Sequence, residues 1–459
     1  MELQKYLFRG VQKNACIIFA ISIIYLVFTA CSSDNSTTSP SNKLNENVGS
    51  QEFQFNYRYL YYLYIDQAKY LKSPANYIGK ANTNVMSQKG IPWDYYDIYY
   101  MYDQMNDYYT YYVDPLRAKD IRNKSKEKID AGFSLDSLYI PEKYIIKNVV
   151  ENSPADKAGL KIGDEIVEIE GIVPTNETVY NRLADASKGE TITYTIKRGN
   201  VKLTIPVKIA PYYTPTIELS FKESIPIIKI NEFTTNTSND FGSYGEFIKY
   251  LQATEQYSAT IIDLRNNGGG DGDQCIAMAS TLLSKGDTII GVITAYADSV
   301  RQRQAFDTTF KINEYDGIAK DRYFVFLANE YTASCSEIMI AGVVLNKEYP
   351  VVGRTTYGKG VGQKYFTTPS YSLISITNTK IIDKQKSSYH KFGIEPDFNI
   401  YDEEIALNVA VELAKEKTFK RIAGYGTVNT GHFTKTAITP DTMPGFYTLP
   451  DEYRKIIKY

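Results

Sequence analysis

The sequence predicts an α+β protein of several domains, with a helical N-terminal region, a partial barrel of short strands and a mixed α/β core. Its length of 459 residues is enough for about two to four domains with buried cores. Apolar residues recur at helical spacing before residue 125, and at a period of two between 126 and 211. After Pro211 the pattern becomes strand, helix, strand, which is typical of a mixed α/β domain. Within it, the polar segment from Asp298 to Arg322 suggests an insertion.

The first 30 residues have the pattern of a secretory signal. Basic residues precede an apolar run, Ala15 to Phe28, which at about 14 residues is shorter than the roughly 20 of a membrane-spanning helix. The ending Phe28-Thr29-Ala30-Cys31 resembles that of a bacterial lipoprotein signal. This implies a lipid on Cys31 and an anchored protein at the bacterial cell envelope, with the periplasmic or outer face left open. An uncleaved anchor with an incidental cysteine is the alternative.

A disordered tether of Ser, Thr, Asn and Pro residues is expected over 31–50. Residues 51–125 predict a helical domain, because Tyr57, Leu60, Tyr61 and neighbouring apolar residues recur at helical spacing. The chain contains 41 tyrosines, densest before residue 115, and we interpret this enrichment as packing rather than as a binding surface. The segment Met105–Tyr112 of this domain indicates no chemistry by itself.

Residues 126–211 predict short strands and a helix with Pro154 at its first position and Gly159 at its end. The segment Val150–Asp164 resembles a PDZ domain. The resemblance implies a fold that binds an extended peptide at a sheet edge and receives its terminal carboxylate on backbone N–H groups. The implied carboxylate loop lacks one of the usual two glycines and consists of Ala131, Gly132, Phe133 and Ser134. A purely structural PDZ domain that positions its neighbour is the alternative.

A strand buried on both faces, Ala259–Arg265, runs into a glycine-rich loop, Asn266–Asp273. The loop has no Gly-Lys-Ser/Thr, so we exclude nucleotide binding. Such a loop can also bring backbone N–H groups close to an oxyanion. This use requires a nucleophile. A structural turn is the alternative.

The turn Tyr331–Glu337 presents Ser334 at the start of a predicted helix, and Lys359 lies between two glycines. They form a plausible nucleophile and base, or a helix cap and a surface lysine. The chain has two histidines, His390 and His432, neither in a metal-ligand spacing. We therefore expect no metal, no cofactor and no Ser-His-Asp triad. The two cysteines outside the predicted signal, Cys275 and Cys335, are too few for a disulfide framework. Whether they form a single disulfide is left open.

Three segments resemble the signature motifs of the C-terminal processing (tail-specific) peptidases, serine peptidases with a Ser-Lys dyad and usually a PDZ domain. They are Asp263–Gly269, Ser334–Glu337 and Thr356–Gln363. The resemblance covers roughly residues 50–415 and includes Asp107-Tyr108-Tyr109-Thr110. It implies a mixed α/β peptidase core of the ClpP/crotonase-like type.

The resemblance assigns Ser334 as the nucleophile, Lys359 as the general base and Gln363 as the residue that helps to hold that lysine. A solvated lysine has a pKa near 10.4, so a base working near pH 7 needs its pKa lowered by about 3. Burial in an apolar pocket can supply such a change. A nearby carboxylate would oppose it, and we therefore predict that Glu337 does not pair with Lys359.

The implied oxyanion hole uses the N–H of Cys335 and one from Gly268 or Gly269. Two positions depart from the family pattern. Cys335 replaces the usual alanine, and Gly268 stands where proline is common. Only a backbone N–H is needed at Cys335, so we expect no loss of activity.

The implied function is an exported serine endopeptidase that hydrolyses extended or unfolded polypeptides, engaged in some cases through their C-termini. A catalytically silent PDZ scaffold that binds peptides is the alternative, and a small-molecule hydrolase is disfavoured by the missing histidine base. The net charge of −2 argues against nucleic acid as a partner. The natural substrate, the oligomeric state and the effect of the PDZ domain are left open. The predicted boundaries are signal 1–30, tether 31–50, helical domain 51–125, PDZ domain 126–211, peptidase domain 212–417 and C-terminal tail 418–459.

Overall fold

The computed structural model describes residues 48–123, 127–135, 143–175 and 186–419. The predicted signal, the lipidation site Cys31, most of the tether and the tail from residue 420 lie outside the described residues. The described part contains three β-sheets, two of five strands and one of six, with helices packed on them. The predicted α+β architecture of several domains is therefore confirmed. Among the described helices, none combines the length and apolar character that a transmembrane span requires.

The N-terminal helices bury a core made largely of tyrosine. In the first helix, capped by Ser50, the side chains of Tyr57 and Leu60 face inward. Buried hydroxyl groups find partners, as when Tyr102 donates to the Asn56 side chain (2.9 Å), which makes tyrosine compatible with a core. The helices are α1 (Gln51–Leu63), α2 (Gln67–Tyr70), α3 (Thr83–Gln88), α4 (Tyr96–Asp103) and α5 (Pro115–Asn123), with 3-10 turns at Pro74–Asn76 and Trp93–Tyr95.

A short strand, β1 (Tyr111–Val113), lies within this helical region and pairs antiparallel with the distant strand Leu373–Ile382. Ile374 and Ile376 of that strand belong to the same hydrophobic core as α1 and α4. The N-terminal region thus shares its core with a sheet formed by much later residues.

The second region is an antiparallel sheet with a short helix. Ser153 caps this helix, Pro154 is its first residue, and Gly159 ends it with a φ of 87°, as the sequence predicts. The strands follow each other in sequence order across the sheet. The elements are β2 (Phe133–Leu135), β3 (Tyr144–Val149), α6 (Pro154–Ala158), β4 (Glu165–Ile169), β5 (Thr191–Arg198) and β6 (Val201–Lys208).

The six-stranded sheet forms the centre of the third region. Its inner strands are parallel, and Ala259–Asp263 is buried along its whole length, as expected for a strand covered on both faces. The elements are β7 (Ile217–Lys222), β8 (Ile225–Ile230), α7 (Gly242–Ala253), β9 (Ala259–Asp263), α8 (Gly272–Ser280), β12 (Tyr323–Ala328), α9 (Cys335–Lys347), β13 (Val351–Gly353), β16 (Phe398–Asn399) and α10 (Glu403–Glu416). The strand order is β16-β13-β12-β9-β8-β7.

The remaining sheet corrects one expectation. The polar segment from Asp298 to Arg322 suggests an insertion, but part of it forms a strand that pairs antiparallel with the strand before it. This strand lies at the sheet edge and is largely exposed, so its composition is polar and the usual apolar alternation is weak. The strands are β10 (Thr288–Asp298), β11 (Arg303–Ile312), β14 (Val361–Thr367) and β15 (Leu373–Ile382).

Candidate active site

Two parallel strands deliver the candidate catalytic segments to the same edge of the six-stranded sheet. β9 and β12 run side by side with Asp263 opposite Leu327, so the chain leaves both strands at one end. The segments that follow are then joined, because the Ala333 N–H donates to the Asn267 carbonyl (2.9 Å). The glycine loop and the serine turn meet here although they are distant in sequence. Ligand and catalytic sites form at such strand ends in many α/β sheets.

Ser334 occupies the N-cap of α9 in a strained backbone conformation. Its φ of 55° and ψ of −115° are rarely adopted by residues with a side chain, and such conformations cost about 1–3 kcal/mol. The residue is only half-buried, so solvent reaches it. A helix cap explains the position of Ser334 but not its strain. Nucleophilic serines in other hydrolases are presented on sharp, strained turns between strand and helix.

Glu337 joins the serine to the lysine through one buried carboxylate. Its Oε2 accepts hydrogen bonds from the backbone N–H groups of Ser334 (2.9 Å) and Lys359 (2.8 Å). Its Oε1 accepts from the Gly358 N–H (2.6 Å) and the Thr356 hydroxyl (2.5 Å). The backbones of the predicted nucleophile and base are therefore held in a fixed relation.

Burial raises the pKa of the Glu337 carboxyl, but its hydrogen-bond partners suit the ionised form. The hydrogen bonds from Thr356 and from three backbone N–H groups act against burial and lower this pKa. All four partners donate, which suits a carboxylate, because a protonated acid would need an acceptor for its O–H. The contact between Glu337 and Lys359 is to the lysine backbone, in keeping with the expectation that the carboxylate does not pair with the amine.

The Lys359 side chain is 7 % exposed. Burial lowers the pKa of its amine to about 8, against the opposing effect of Cys335, Asp107 and Glu337. An amine with such a pKa is neutral in about a tenth of the molecules at pH 7 and in about half at pH 8. The lowering is somewhat smaller than the sequence argument requires, yet it supplies unprotonated amine near neutral pH.

An aromatic residue that sequence reasoning missed stands next to the base. The Lys359 amine lies 4.6 Å from the centre of the Tyr109 ring, and the Tyr109 hydroxyl donates to that of Tyr357 (3.4 Å). Tyr109 belongs to the segment Met105–Tyr112, for which the sequence predicts no chemistry. The only signal that could have found it was the resemblance of Asp107-Tyr108-Tyr109-Thr110 to a family motif.

Gln363 lies on β14, opposite Thr377 of β15. Its amide donates to the Thr377 hydroxyl at 3.4 Å, so the structure ties Gln363 to the neighbouring strand. The role assigned to Gln363 by resemblance, holding the Lys359 amine, stays a prediction.

The glycine loop approaches the serine turn so closely that Gly269 admits no side chain. A Cβ built on Gly269, whose φ is 109°, would lie 2.7 Å from the Ser334 Cβ and 3.0 Å from the Cys335 nitrogen. The Gly269 N–H donates to the Asn267 side chain (2.8 Å). Within the described part of the chain, the N–H groups of Cys335 and Gly268 have no hydrogen-bond acceptor. These two donors are therefore the better placed of the predicted set to meet an oxyanion.

Asn267, which the sequence analysis did not single out, organises this loop. It is fully buried, and its amide also donates to the Ile230 carbonyl (2.9 Å). Its own carbonyl accepts from the Ser336 hydroxyl (3.1 Å). Ser336 is itself fully buried and serves the loop, whereas Ser334 is the accessible serine of the motif.

Cys275 and Cys335 are free thiols, and both are buried. The Cys335 thiol donates to the Asp271 carbonyl (3.2 Å). Burial, followed by the neighbouring Cys335 thiol, raises the pKa of Cys275. The question that the sequence left open is answered, since no disulfide joins the two. The described residues also include no group of three or more His, Cys, Asp or Glu side chains that could hold a metal ion.

The predicted carboxylate loop of the second region is occupied by a carboxylate of the chain itself. The Gly132 N–H donates to Asp130 (2.7 Å), and the Tyr212 hydroxyl donates to the same oxygen (2.6 Å). Phe133 and Ser134 belong to β2, where they pair with β3, and Ala131 is buried. A peptide carboxylate at this loop would therefore face the negative charge of Asp130.

One ion pair connects this region to the third. The Lys249 amine on α7 lies 2.7 Å from the Glu151 carboxylate in the loop after β3. Both side chains are about half exposed, so the pair contributes little stability on its own. Close by, the Asn152 amide donates to the Ser238 hydroxyl (3.5 Å), so the loop after β3 contacts the third region at two points.

Comparisons with known proteins agree with this organisation. Residues 224–400 match the model of peptidase family S41, and residues 120–209 match that of the PDZ domain. The two matches coincide with the region that carries Ser334, Lys359 and the glycine loop, and with the antiparallel sheet before it.

Known relatives include bacterial proteases. A "Probable CtpA-like serine protease" of Staphylococcus haemolyticus is 26 % identical over 332 residues, covering 71 % of this chain and 62 % of the relative. The "Carboxy-terminal processing protease CtpA" of Bacillus subtilis is 29 % identical over 308 residues, covering 64 % and 61 %. The chain thus spans about three fifths of the length of these curated relatives. The solved structure of a photosystem II D1 C-terminal processing protease aligns with 80 % of this chain and 98 % of its own at 18 % identity, with a TM-score of 0.47.

Proposed function

Because this chain carries a peptidase core of family S41 behind a PDZ domain, we propose that it is an exported serine endopeptidase that cleaves extended or unfolded polypeptides. Ser334 is the nucleophile and Lys359 the general base. The observation that carries the proposal is the pair itself: a strained, accessible serine and a buried lysine of lowered pKa, whose backbones bind the same Glu337 oxygen.

The reaction is acyl transfer. The neutral Lys359 amine takes the proton from the Ser334 hydroxyl as its oxygen attacks the scissile carbonyl carbon. The resulting oxyanion receives hydrogen bonds from the backbone N–H groups of Cys335 and Gly268. The C–N bond then breaks, and the Lys359 ammonium returns its proton to the leaving amine. Lys359, neutral again, takes a proton from water as the water oxygen attacks the ester carbonyl carbon. The C–O bond to Ser334 then breaks, the lysine returns that proton to the serine oxygen, and the peptide leaves as a carboxylic acid.

Glu337 supports this chemistry through the backbone rather than by taking a proton. Its negative charge opposes the lowering of the Lys359 pKa, and four donors hold the charge in place. The partial positive charges of these donors offset part of the carboxylate's negative field. The arrangement fixes both catalytic segments while leaving burial as the dominant influence on the lysine.

The PDZ domain recruits or gates the polypeptide in this proposal. An added peptide strand is recognised mainly through its main chain, which suits an unfolded substrate of varied sequence. Asp130 next to the carboxylate loop weakens the capture of a terminal carboxylate, so the C-terminus is not the main determinant. Cys31 carries the lipid that anchors the enzyme to the membrane at the cell envelope.

The test is proteolysis by the full-length protein extracted in detergent, with reduced, unfolded casein as substrate. The wild-type protein is expected to cleave it, and Ser334→Ala and Lys359→Ala are each expected to lower the rate by at least about 10³-fold. Lys364→Ala, an exposed lysine on the adjoining strand, is the matched control and should stay within twofold.

A serine-reactive fluorophosphonate probe provides the second readout. Labelling of wild-type protein should map to the peptide that contains Ser334 and disappear in Ser334→Ala. Cleavage retained by both dyad variants would overturn the mechanism. Binding of casein without cleavage or labelling of the wild-type protein would favour a PDZ scaffold instead.

A further inference from the structure

The turn Asp107–Thr110 has no role in the reaction described so far, yet it brings a side chain of the N-terminal region to the base. We infer that Tyr109 is a positioning residue for Lys359: its ring shields the amine from water and holds it toward Ser334. The N-terminal helical region then completes the active site. This inference rests on the proposed Ser-Lys function and deepens it.

The turn is rigid because its first residue binds the next ones. Asp107 accepts hydrogen bonds from the Tyr109 N–H (3.0 Å) and from the Thr110 hydroxyl (2.7 Å). The Thr110 N–H also donates to the Asp107 carbonyl (3.2 Å). A short aspartate that binds the backbone two residues later is a common way to fix a turn. The Tyr109 side chain therefore leaves the backbone in a defined direction.

The turn is also fastened to the sheet that carries the base. The Ser375 hydroxyl donates to the Tyr109 carbonyl (2.8 Å), and the Thr377 N–H donates to the Thr110 hydroxyl (2.9 Å). Thr377 is the residue that Gln363 contacts. These bonds are buried, so they resist competition from water. The position of Tyr109 relative to β14 and β15 is fixed from both sides.

The Tyr109 ring lies against both catalytic segments. It is 8 % exposed and clusters with Ala333, the residue before the nucleophile, and with Val361, two residues after the base. The Lys359 amine is 4.6 Å from the centre of the ring, within the range of cation–π contacts. The ring therefore forms part of the wall of the lysine pocket.

A neutral aromatic wall suits a lysine that must change its charge during catalysis. It excludes water without adding a negative charge, and burial is the main cause of the lowered pKa of Lys359. Once the amine has taken the serine proton, the face of the ring favours the new cation. The charged and titratable groups that act on the amine are Asp107, Glu337 and Cys335, all of which raise its pKa.

Removal of the ring should therefore change the pH dependence as well as the rate. Tyr109→Leu admits water to the pocket, which raises the pKa of Lys359. In a plot of kcat against pH, the midpoint of the acidic limb is expected near pH 8 in the wild-type protein. It should move to higher pH by about one pH unit. The kcat at pH 7 should fall about tenfold with KM within twofold, and the deficit should shrink toward pH 10. Tyr109→Phe, which keeps the ring, should restore the wild-type profile.

Tyr61→Leu is the matched control. Tyr61 is 7 % exposed and belongs to the N-terminal core, so the same substitution removes a comparable buried ring without touching the base. It should lower the unfolding temperature and leave the kcat profile in place. If Tyr109→Leu does not fold, Tyr109→Met, which fills more of the volume with a flexible non-aromatic chain, serves in its place.

The outcomes separate this inference from the proposed function. Wild-type kcat and profile in a folded Tyr109→Leu or Tyr109→Met protein, with Ser334→Ala and Lys359→Ala inactive, would overturn the role of Tyr109 alone. A parallel loss of rate at every pH in the Tyr109 and Tyr61 variants would reduce Tyr109 to a packing residue. Activity that survives in the dyad variants would overturn the proposed function itself.

Discussion

Two glycines in this chain pack against a serine that begins a helix, and the two serines differ in backbone conformation. A Cβ on Gly132 would lie 2.1 Å from the Ser153 Cβ, and one on Gly269 would lie 2.7 Å from the Ser334 Cβ. Ser153, in the PDZ domain, has relaxed angles of φ −68° and ψ 168°. It is fully buried, and its hydroxyl accepts from the Asp156 N–H (3.3 Å). Ser153 is an ordinary helix cap.

Ser334 also begins a helix opposite a glycine, but its backbone angles and its exposure differ from those of Ser153. Its φ is 55° and its ψ −115°, and it is only half-buried. Its N–H donates to the Glu337 carboxylate, so the strained turn is held by a side chain that also accepts from the Lys359 N–H. The comparison teaches that a serine at a helix start is not in itself a sign of catalysis. Backbone strain and partial exposure separate Ser334 from Ser153.

The glycine opposite the strained serine should be the more sensitive of the two for activity. Gly269→Ala is expected to lower kcat/KM for peptide cleavage by roughly 10²–10³-fold, the loss typical of a damaged oxyanion hole. The added Cβ would crowd Ser334 and lie 3.0 Å from the Cys335 nitrogen. Gly272→Ala is the control, because its Cβ would meet nothing within 4 Å, and it should stay within twofold. Full activity in Gly269→Ala would place the oxyanion elsewhere.

Lys359 should lower the stability of the folded protein, in contrast to the capping Ser153, which should raise it. The pKa of Lys359 is lowered from 10.5 to about 8 by burial, which corresponds to roughly 3 kcal/mol against the charged form. Lys359→Met should therefore raise the free energy of unfolding by up to about 3 kcal/mol at pH 7 while abolishing cleavage.

The pH dependence of this gain follows from the sign of the shift. Because the folded-state pKa lies below the unfolded one, the penalty is complete below pH 8 and fades as the pH rises toward 10.5. Urea unfolding at pH 7 and pH 10 should show the advantage of Lys359→Met shrinking at the higher pH. Lys364→Met, at an exposed position, should change stability by less than about 0.5 kcal/mol at both. A constant advantage would mean that the substitution acts through packing.

The parts of the site that the sequence predicted are those encoded by local chemistry. A buried strand that ends in glycines, a serine at a helix start and a lysine between glycines can each be recognised within a few residues. Gly269, Ser334 and Lys359 were identified in this way, with family resemblance deciding between cap and nucleophile. Residues that follow parallel strands collect at one sheet edge, so their meeting was foreseeable too.

The parts that were missed depend on the register of distant strands. Tyr109 is held next to Lys359 by the hydrogen bond between Thr110 and Thr377 on β15. No local sequence pattern predicts a contact between residues so far apart in the chain. In the sequence, Asn267 looks like an ordinary turn residue. The structure shows that its buried side chain binds both Ile230 and Gly269. The edge strand β11 was not predicted to be a strand, because a largely exposed strand carries too few apolar residues for a clear alternation.

The smallest expected effect tests the comparison most directly. Ser153→Ala removes a relaxed cap and should cost about 1 kcal/mol of stability, seen as faster hydrogen exchange at the amides of α6, while cleavage of a short peptide stays unchanged. Ser334→Ala should cost less than that, because alanine keeps the backbone N–H that binds the Glu337 carboxylate and loses only the other half of the capping box, in which the Ser334 side chain accepts from the backbone of Glu337. A stability loss in Ser334→Ala equal to that in Ser153→Ala would mean that both serines are structural caps, since only a serine whose hydroxyl supports the helix loses stability with it.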